Sequence, residues 1–344
     1  MKSVRALIAI VVLFVPSLLW GTNIDREILL TEEGTLYAIE SIYAETLPNV
    51  ATESTKVLQL STQKGETSET ILVPASLGGG VHSDPALAYD SESETLLVFW
   101  QKTPNPRLNS DLLFCSYQDG TWSEPTLVDN GAFSFRFNLR IAVTRFVRES
   151  SAGGIPEKKP GLVIHAVWWN QDGYGEQAGY AMLALENGVV KSKRVTNLVD
   201  LLGSSRASAV VPVADNFDRD MLRNPAIFAL GNDGVEVVFA DWKTNLFQKL
   251  EIRPIRADGV LTPIIGIARG SFKPTVDSVT INSRMTIIPG TDDKKMLFYF
   301  RSPRGYDYLM LNDGVWSELK SVALSDRVSP EAAVEALRRL IVSQ

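Results

Sequence analysis

The chain has 344 residues, 45% of them hydrophobic and 22% charged, with a formal net charge of −6. That length supports one large domain or two ordinary ones around a substantial core, and the mild acidity gives no basic face of the kind nucleic-acid binders carry. A single cysteine, Cys115, excludes an intrachain disulfide, and two histidines, His82 and His165, are too few for a histidine-rich zinc centre, so neither a metal nor a cofactor is expected.

The first residues, MKSVRALIAIVVLFVPSLLWGTN, place Lys2 and Arg5 ahead of an apolar run over 6–20. A positive start, an apolar middle and a following small residue are the layout of a secretion signal. The run is shorter than the roughly 20 residues of a membrane-spanning helix. Leu19 and Trp20 stand where a cleavage site wants small side chains. Residues 1–22 are therefore read as a signal peptide or an uncleaved N-terminal anchor, and the protein as secreted or periplasmic. Membrane contact is expected only in the uncleaved case.

Further along, SYQDGTW (116–122), LENGVV (185–190), RADGVL (256–261) and LNDGVW (311–316) each put Asp-Gly or Asn-Gly between strand-forming runs. Such a pair suits a two-residue hairpin turn, which needs φ > 0 at both positions. Upstream of each turn stands a run that is apolar at nearly every position: TLLVFW (95–100), GLVIHAVWW (161–169), VEVVFADW (235–242) and KMLFYF (295–300). An antiparallel strand of that kind is covered on both faces. One step earlier come DPALAY, NLRIAV, NPAIFA and NSRMTI, opening on Asp84, Asn138, Asn224 and Asn282.

The repeating unit is four strands: an inner strand opened by Asp or Asn, a buried strand, and the two arms of the hairpin. Four-stranded sheets repeated about an axis predict an all-β fold, a β-propeller over 23–327. Five blades are counted. The first is degenerate, with three strands in TLYAIESIYA, KVLQLST and ETILVP, and the stretch 204–220 has room for a sixth. Unrelated hairpins in a sandwich are the alternative. Residues 328–344 predict a short C-terminal helix docked on the propeller, with Ser329 as N-cap, Pro330 in the first turn and an apolar stripe of Val334, Leu337 and Ile341.

The stretch SYQDGTWSEP resembles the Asp-box, or BNR repeat, of sialidase-like propellers: Ser116, Asp119, Gly120 and Trp122 supply the residue types, with Ser to Asp one residue longer and Gly directly after Asp. The resemblance implies a structural turn on the face opposite the active site. It also implies arginines that hold a sugar carboxylate, a Tyr nucleophile assisted by a Glu, and an Asp that handles protons.

On the face where inner strands begin, Arg140, Arg223 and Arg284 come from three successive repeats, and an Arg fork suits a carboxylate. Asn138, Asn224 and Asn282 join them as ligand-binding candidates. Asp84, Tyr174, Glu176 and Tyr306 are the catalytic candidates. The bland alternative makes each Asp or Asn a turn cap and pairs each arginine with a nearby acid. Two functions follow: a non-catalytic exported propeller binding a glycan or an extracellular protein at the channel mouth, or a sialidase-like exo-glycoside hydrolase. His165 and Cys115 sit within apolar strands and are expected to be core residues. The stretch NFDRD lacks the Gly and Glu of a calcium loop, and SLGGGVHSD leads into a strand rather than a phosphate-binding helix.

Overall fold

In the computed structural model the described residues are 26–322 and the isolated positions Ala336 and Arg339, with breaks at 32, 105–109, 131–134, 151–156, 173–174, 187, 199–221, 230–233, 242–245, 258–259, 267–284, 290–294, 303–304, 313–314 and 319. They form an all-β fold of successive antiparallel sheets. The stretch considered for a sixth blade, and the C-terminal segment apart from those two positions, lie outside the described residues.

The first sheet runs β1 (Arg26–Leu30), β2 (Leu36–Tyr43), β3 (Ser54–Lys64) and β4 (Thr67–Leu72). It has four strands rather than the three expected, because REILL supplies the inner one. The second has β5 (Gly80–Asp90), β6 (Thr95–Thr103) and β7 (Asp111–Gln118), with the short β8 (Thr121–Trp122) and β9 (Thr126–Asn130) both against β7. A short parallel pairing of β3 with β5 joins these two sheets. The third is β10 (Phe135–Ser150), β11 (Glu157–Asp172), β12 (Gly175–Glu186) and β13 (Val189–Asn197). The fourth is β14 (Leu222–Ala229), β15 (Val235–Asp241), β16 (Leu246–Ala257) and β17 (Val260–Gly266). The fifth is β18 (Met285–Pro289), β19 (Lys295–Ser302) and β20 (Gly305–Asn312), with β21 (Val315–Trp316) and β22 (Lys320–Val322) both against β20.

The run of apolar residues in β6 has a simple cause. Leu96, Val98 and Trp100 point into one core with Ile39, Leu58 and Leu60 of the first sheet, whereas Leu97 and Phe99 point into another with Leu139, Ile164 and Trp168 of the third. Side chains alternate faces along a strand. A strand sandwiched between two sheets must therefore be apolar on both. In the third sheet, Val163 and Val167 face Ile227, Val237 and Ile252 of the fourth, while Ile164, Ala166 and Trp168 face the second. The sheets thus pack face to face in chain order, and the inner strands β5, β10, β14 and β18 follow one another as neighbours.

All four glycine hairpins have two-residue loops, closed by Gln118 with Thr121, Glu186 with Val189, Ala257 with Val260, and Asn312 with Val315. Asp119 and Gly120 have φ of 49° and 78°, the two left-handed positions that favour Gly and tolerate Asp. The antiparallel order puts these turns at the end away from where each inner strand begins. Two of them are locked alike: the Ser123 hydroxyl accepts from the Ser116 N–H at 2.9 Å, and the Ser317 hydroxyl accepts from the Met310 N–H at 3.0 Å.

Candidate functional site

The inner strands share a device at their starting end, called the mouth below. Between Ser83 and Ala86, Phe137 and Arg140, and Arg223 and Ala226 the pairing slips by one residue, a β-bulge in three successive sheets. The slip falls on Asp84-Pro85, Asn138-Leu139 and Asn224-Pro225. Asp84 and Asn138 have φ of 48° and 55°, a left-handed backbone that Asp and Asn adopt more readily than most residues. That is why these types recur there. Opposite each bulge, by register, stands an aromatic residue of the second strand: Trp100, Trp168 or Phe239. The Trp168 ring lies over Gly179, where a Cβ would come within 2.2 Å of it.

Around the first two bulges the polar side chains are buried and engaged. The Asp84 carboxylate accepts from Gln101 Nε2 and from the Leu139 N–H, both at 2.9 Å, and so ties the second sheet to the third. Gln101 Oε1 in turn accepts from the Ser110 hydroxyl at 3.0 Å. In the fourth sheet the residue equivalent to Leu139 is Pro225, which has no N–H to satisfy. Arg140 forms a buried ion pair with Glu27 of β1, so the first sheet reaches the third. Trp100 Nε1 donates to His82 Nδ1 at 2.9 Å, leaving Nε2 to donate to the Gly79 carbonyl at 3.2 Å. Burial lowers the His82 pKa to about 4, keeping the ring neutral.

The candidates fare differently. Asp84, Asn138 and Arg140 come together at the mouth and are all buried. Arg223 and Asn224 begin β14 at the third bulge. Glu176 and Tyr306 hold equivalent register positions beside the turns that join the second and third strands of their sheets, opposite Gln171 and Arg301. Tyr174, Asn282 and Arg284 lie outside the described residues. His165 is a core residue, as expected: its ring contacts Thr144 Oγ1 at 2.9 Å and the Tyr180 hydroxyl at 2.7 Å, and full burial lowers its pKa to about 3. Cys115 is buried too, and burial raises its thiol pKa. Among the described residues no group of His, Cys, Asp and Glu is arranged to hold a metal ion. Sequence reasoning missed Glu27. Only its position in a short strand 113 residues from Arg140 could have pointed to it.

No known family's sequence profile matches the chain, and no characterised protein matches it in sequence. Among solved structures it is similar to a mutant of the Aleuria aurantia lectin in complex with Fucα1-6GlcNAc, with 9% identity over 89% of this chain and 80% of that one at a TM-score of 0.48. It is also similar to a mutant α-L-arabinofuranosidase of Fusarium graminearum, with 9% identity over 81% of this chain and 72% of that one at a TM-score of 0.45. A Penicillium chrysogenum α-L-arabinanase matches with 14% identity over 85% and 79% at a TM-score of 0.41. These findings correct the sialidase-like, Asp-box identification: the three structures are a lectin, an α-L-arabinofuranosidase and an α-L-arabinanase, and none is a sialidase. The hairpins agree with the correction: a serine after the Trp caps the turn, and Arg140, first of the three arginines, is paired with an internal carboxylate.

Proposed function

We propose that the five sheets close into a five-bladed propeller and that the chain binds a carbohydrate at the mouth. The observation that carries this is the shared bulge. It recurs in three neighbouring inner strands, and around the first two, hydrogen bonds and burial fix the polar side chains in place. Recognition of sugar hydroxyls depends on polar groups fixed before the ligand arrives, with aromatic faces beside them. The buried groups Glu27, Asp84, Gln101 and Arg140 form the floor. Arg223, Asn224, Asn282, Arg284, Tyr174, Glu176 and Tyr306 are the groups proposed to face the ligand.

Binding is favoured over hydrolysis by the engagement of the described mouth carboxylates. Glu27 is held by Arg140, and Asp84 by Gln101 and the Leu139 N–H. The test is an array of neutral and acidic glycans probed with the chain from residue 23 onward, followed by calorimetry on each hit. Saturable binding that weakens in Arg223→Ala and Tyr306→Ala supports the reading. Turnover of a neutral glycoside would replace binding by hydrolysis, and an array without hits would remove carbohydrate as the ligand.

A further inference from the structure

The seam between the first and second sheets ends, on the turn side, in a cluster of aromatic rings. β1 runs antiparallel to β2 and β2 to β3, so β1 and β3 run the same way, and β3 pairs in parallel with β5. The turn from β1 to β2, which carries Glu33, therefore lies at the same end as the turn from β5 to β6, which carries Glu94. Between them stand Tyr37, Tyr89, Tyr117 and Trp122, all half-buried and packed on the core of the first two sheets. Tyr37 meets Tyr89 at a centroid distance of 5.8 Å, and Tyr117 meets Trp122 at 4.7 Å. Packing alone does not select tyrosine here. Counted from the bulge, Tyr89 and Tyr117 lie in one cross-strand row with Leu96. The same row holds Val143, Ile164 and Leu183 in the third sheet and Ala229, Val235 and Ile252 in the fourth. Aliphatic side chains fill the row in both, so the hydroxyls are extra to what it needs.

The lip of the cluster is acidic. Burial raises the Tyr37 pKa, and Glu33, Tyr117 and Glu94 raise it further; for Tyr89, burial is followed by Tyr37, Glu33, Glu94 and Asp90. Both carboxylates thus act on both hydroxyls. Arg145 answers Asp90 and Glu92, but among the described residues no ion pair answers Glu33 or Glu94, and both are exposed. Glu94 keeps its carboxylate there at a φ of 51°, a left-handed backbone that is uncommon for Glu. Gln118 Nε2 donates to the Ser93 carbonyl at 2.8 Å, which holds the hairpin of Trp122 against the turn of Glu94.

We propose that this end of the seam receives the ammonium of a lysine side chain from a partner protein. Its N–H donors meet the two carboxylates and the tyrosine oxygens, and its apolar stem lies on the rings. A cation fits better than a sugar hydroxyl because both unanswered charges are negative. The site is at the opposite end from the mouth and stands apart from the carbohydrate reading.

The test uses the full chain labelled with fluorotryptophan, the Trp122 fluorine signal being assigned as the one lost in Trp122→Phe. Titration with Nα-acetyl-lysine N-methylamide should move that signal saturably and leave the other tryptophan signals in place. The norleucine counterpart, which has the stem without the charge, should not move it. Glu33→Gln combined with Glu94→Gln, both at exposed positions, should weaken the lysine affinity roughly fivefold or more. No saturable shift, an equal response to the norleucine compound, or an unchanged affinity in the double variant overturns the proposal. Each result is read at the turn end, so none of them bears on glycan binding at the mouth.

Discussion

The second and third sheets are tied at both ends by carboxylates of β5, with the same 55-residue spacing and different surroundings. At the mouth, Asp84 accepts from a backbone N–H inside a bulge and is sealed from water. At the turn end, the Arg145 guanidinium forks onto Asp90, with Nε at 3.1 Å, and also reaches the exposed Glu92. Asp90 is itself buried, but Arg145 is one-fifth exposed and Glu92 more than half, so the turn-end contact meets water through its partners and the mouth contact does not. Where water is excluded, an unsatisfied partner carries its full desolvation cost; where water can enter, it replaces what is lost. Polar groups at the mouth are therefore stability elements as well as neighbours of the proposed ligand site. Those at the turn end tolerate change.

The sharpest way to break that contrast is Arg140→Met, which leaves Glu27 buried without its cation. Urea unfolding should show a loss of about 3–5 kcal/mol, and the double variant Arg140→Met with Glu27→Leu should recover much of it. Next comes Gly179→Ala, which drives a methyl group into the Trp168 ring; a loss of about 1–3 kcal/mol is expected, relieved when Trp168 is also shortened to Leu. Asp84→Ala removes one acceptor from two buried donors and should cost about 2 kcal/mol, whereas Asp90→Ala should cost less, about 1 kcal/mol, because the partly exposed Arg145 can turn to Glu92 and to water. Equal losses at 84 and 90 would remove the distinction between the two ends.

A gentler probe is pH. His165 is neutral in the fold with its pKa near 3 and titrates near 6.5 when unfolded, so below 6.5 the unfolded chain binds the extra proton. Stability should therefore fall as pH drops from about 6.5 toward 3, by up to about 1.4 kcal/mol per pH unit for this residue. His82 adds to the slope down to about pH 4. Unfolding of His165→Gln followed across that range should show the shallower slope.

Much of this was legible in the sequence for physical reasons. Asp-Gly and Asn-Gly mark two-residue turns because few residues accept two successive left-handed positions, and the pairs that close all four hairpins fell where expected. The unbroken apolar runs announced strands covered on both faces. The recurrence of Asp84, Asn138 and Asn224 was visible, but its meaning was not: a bulge is a pairing event, and pairing partners are absent from a single strand's pattern. β1 was missed because REILL is short and carries two charges. Its Glu27 finds Arg140 only once three sheets have folded. The sialidase-like reading failed where local chemistry is least specific, since Asp-Gly before a Trp serves a plain hairpin as well as an Asp-box.

The central claim is that glycan binding belongs to the mouth and not to the turn end. Its most direct measurement is calorimetry of one glycan, found by the array, on two single variants: Tyr306→Ala beside a mouth turn, and Trp122→Ala, whose ring packs on Tyr117 at a centroid distance of 4.7 Å in the opposite turn. The expected result is a Kd weakened by roughly tenfold or more for Tyr306→Ala, the size of effect an aromatic anchor carries, and by less than about twofold for Trp122→Ala. Unchanged binding in the first variant with loss in the second, while both remain folded, would contradict it.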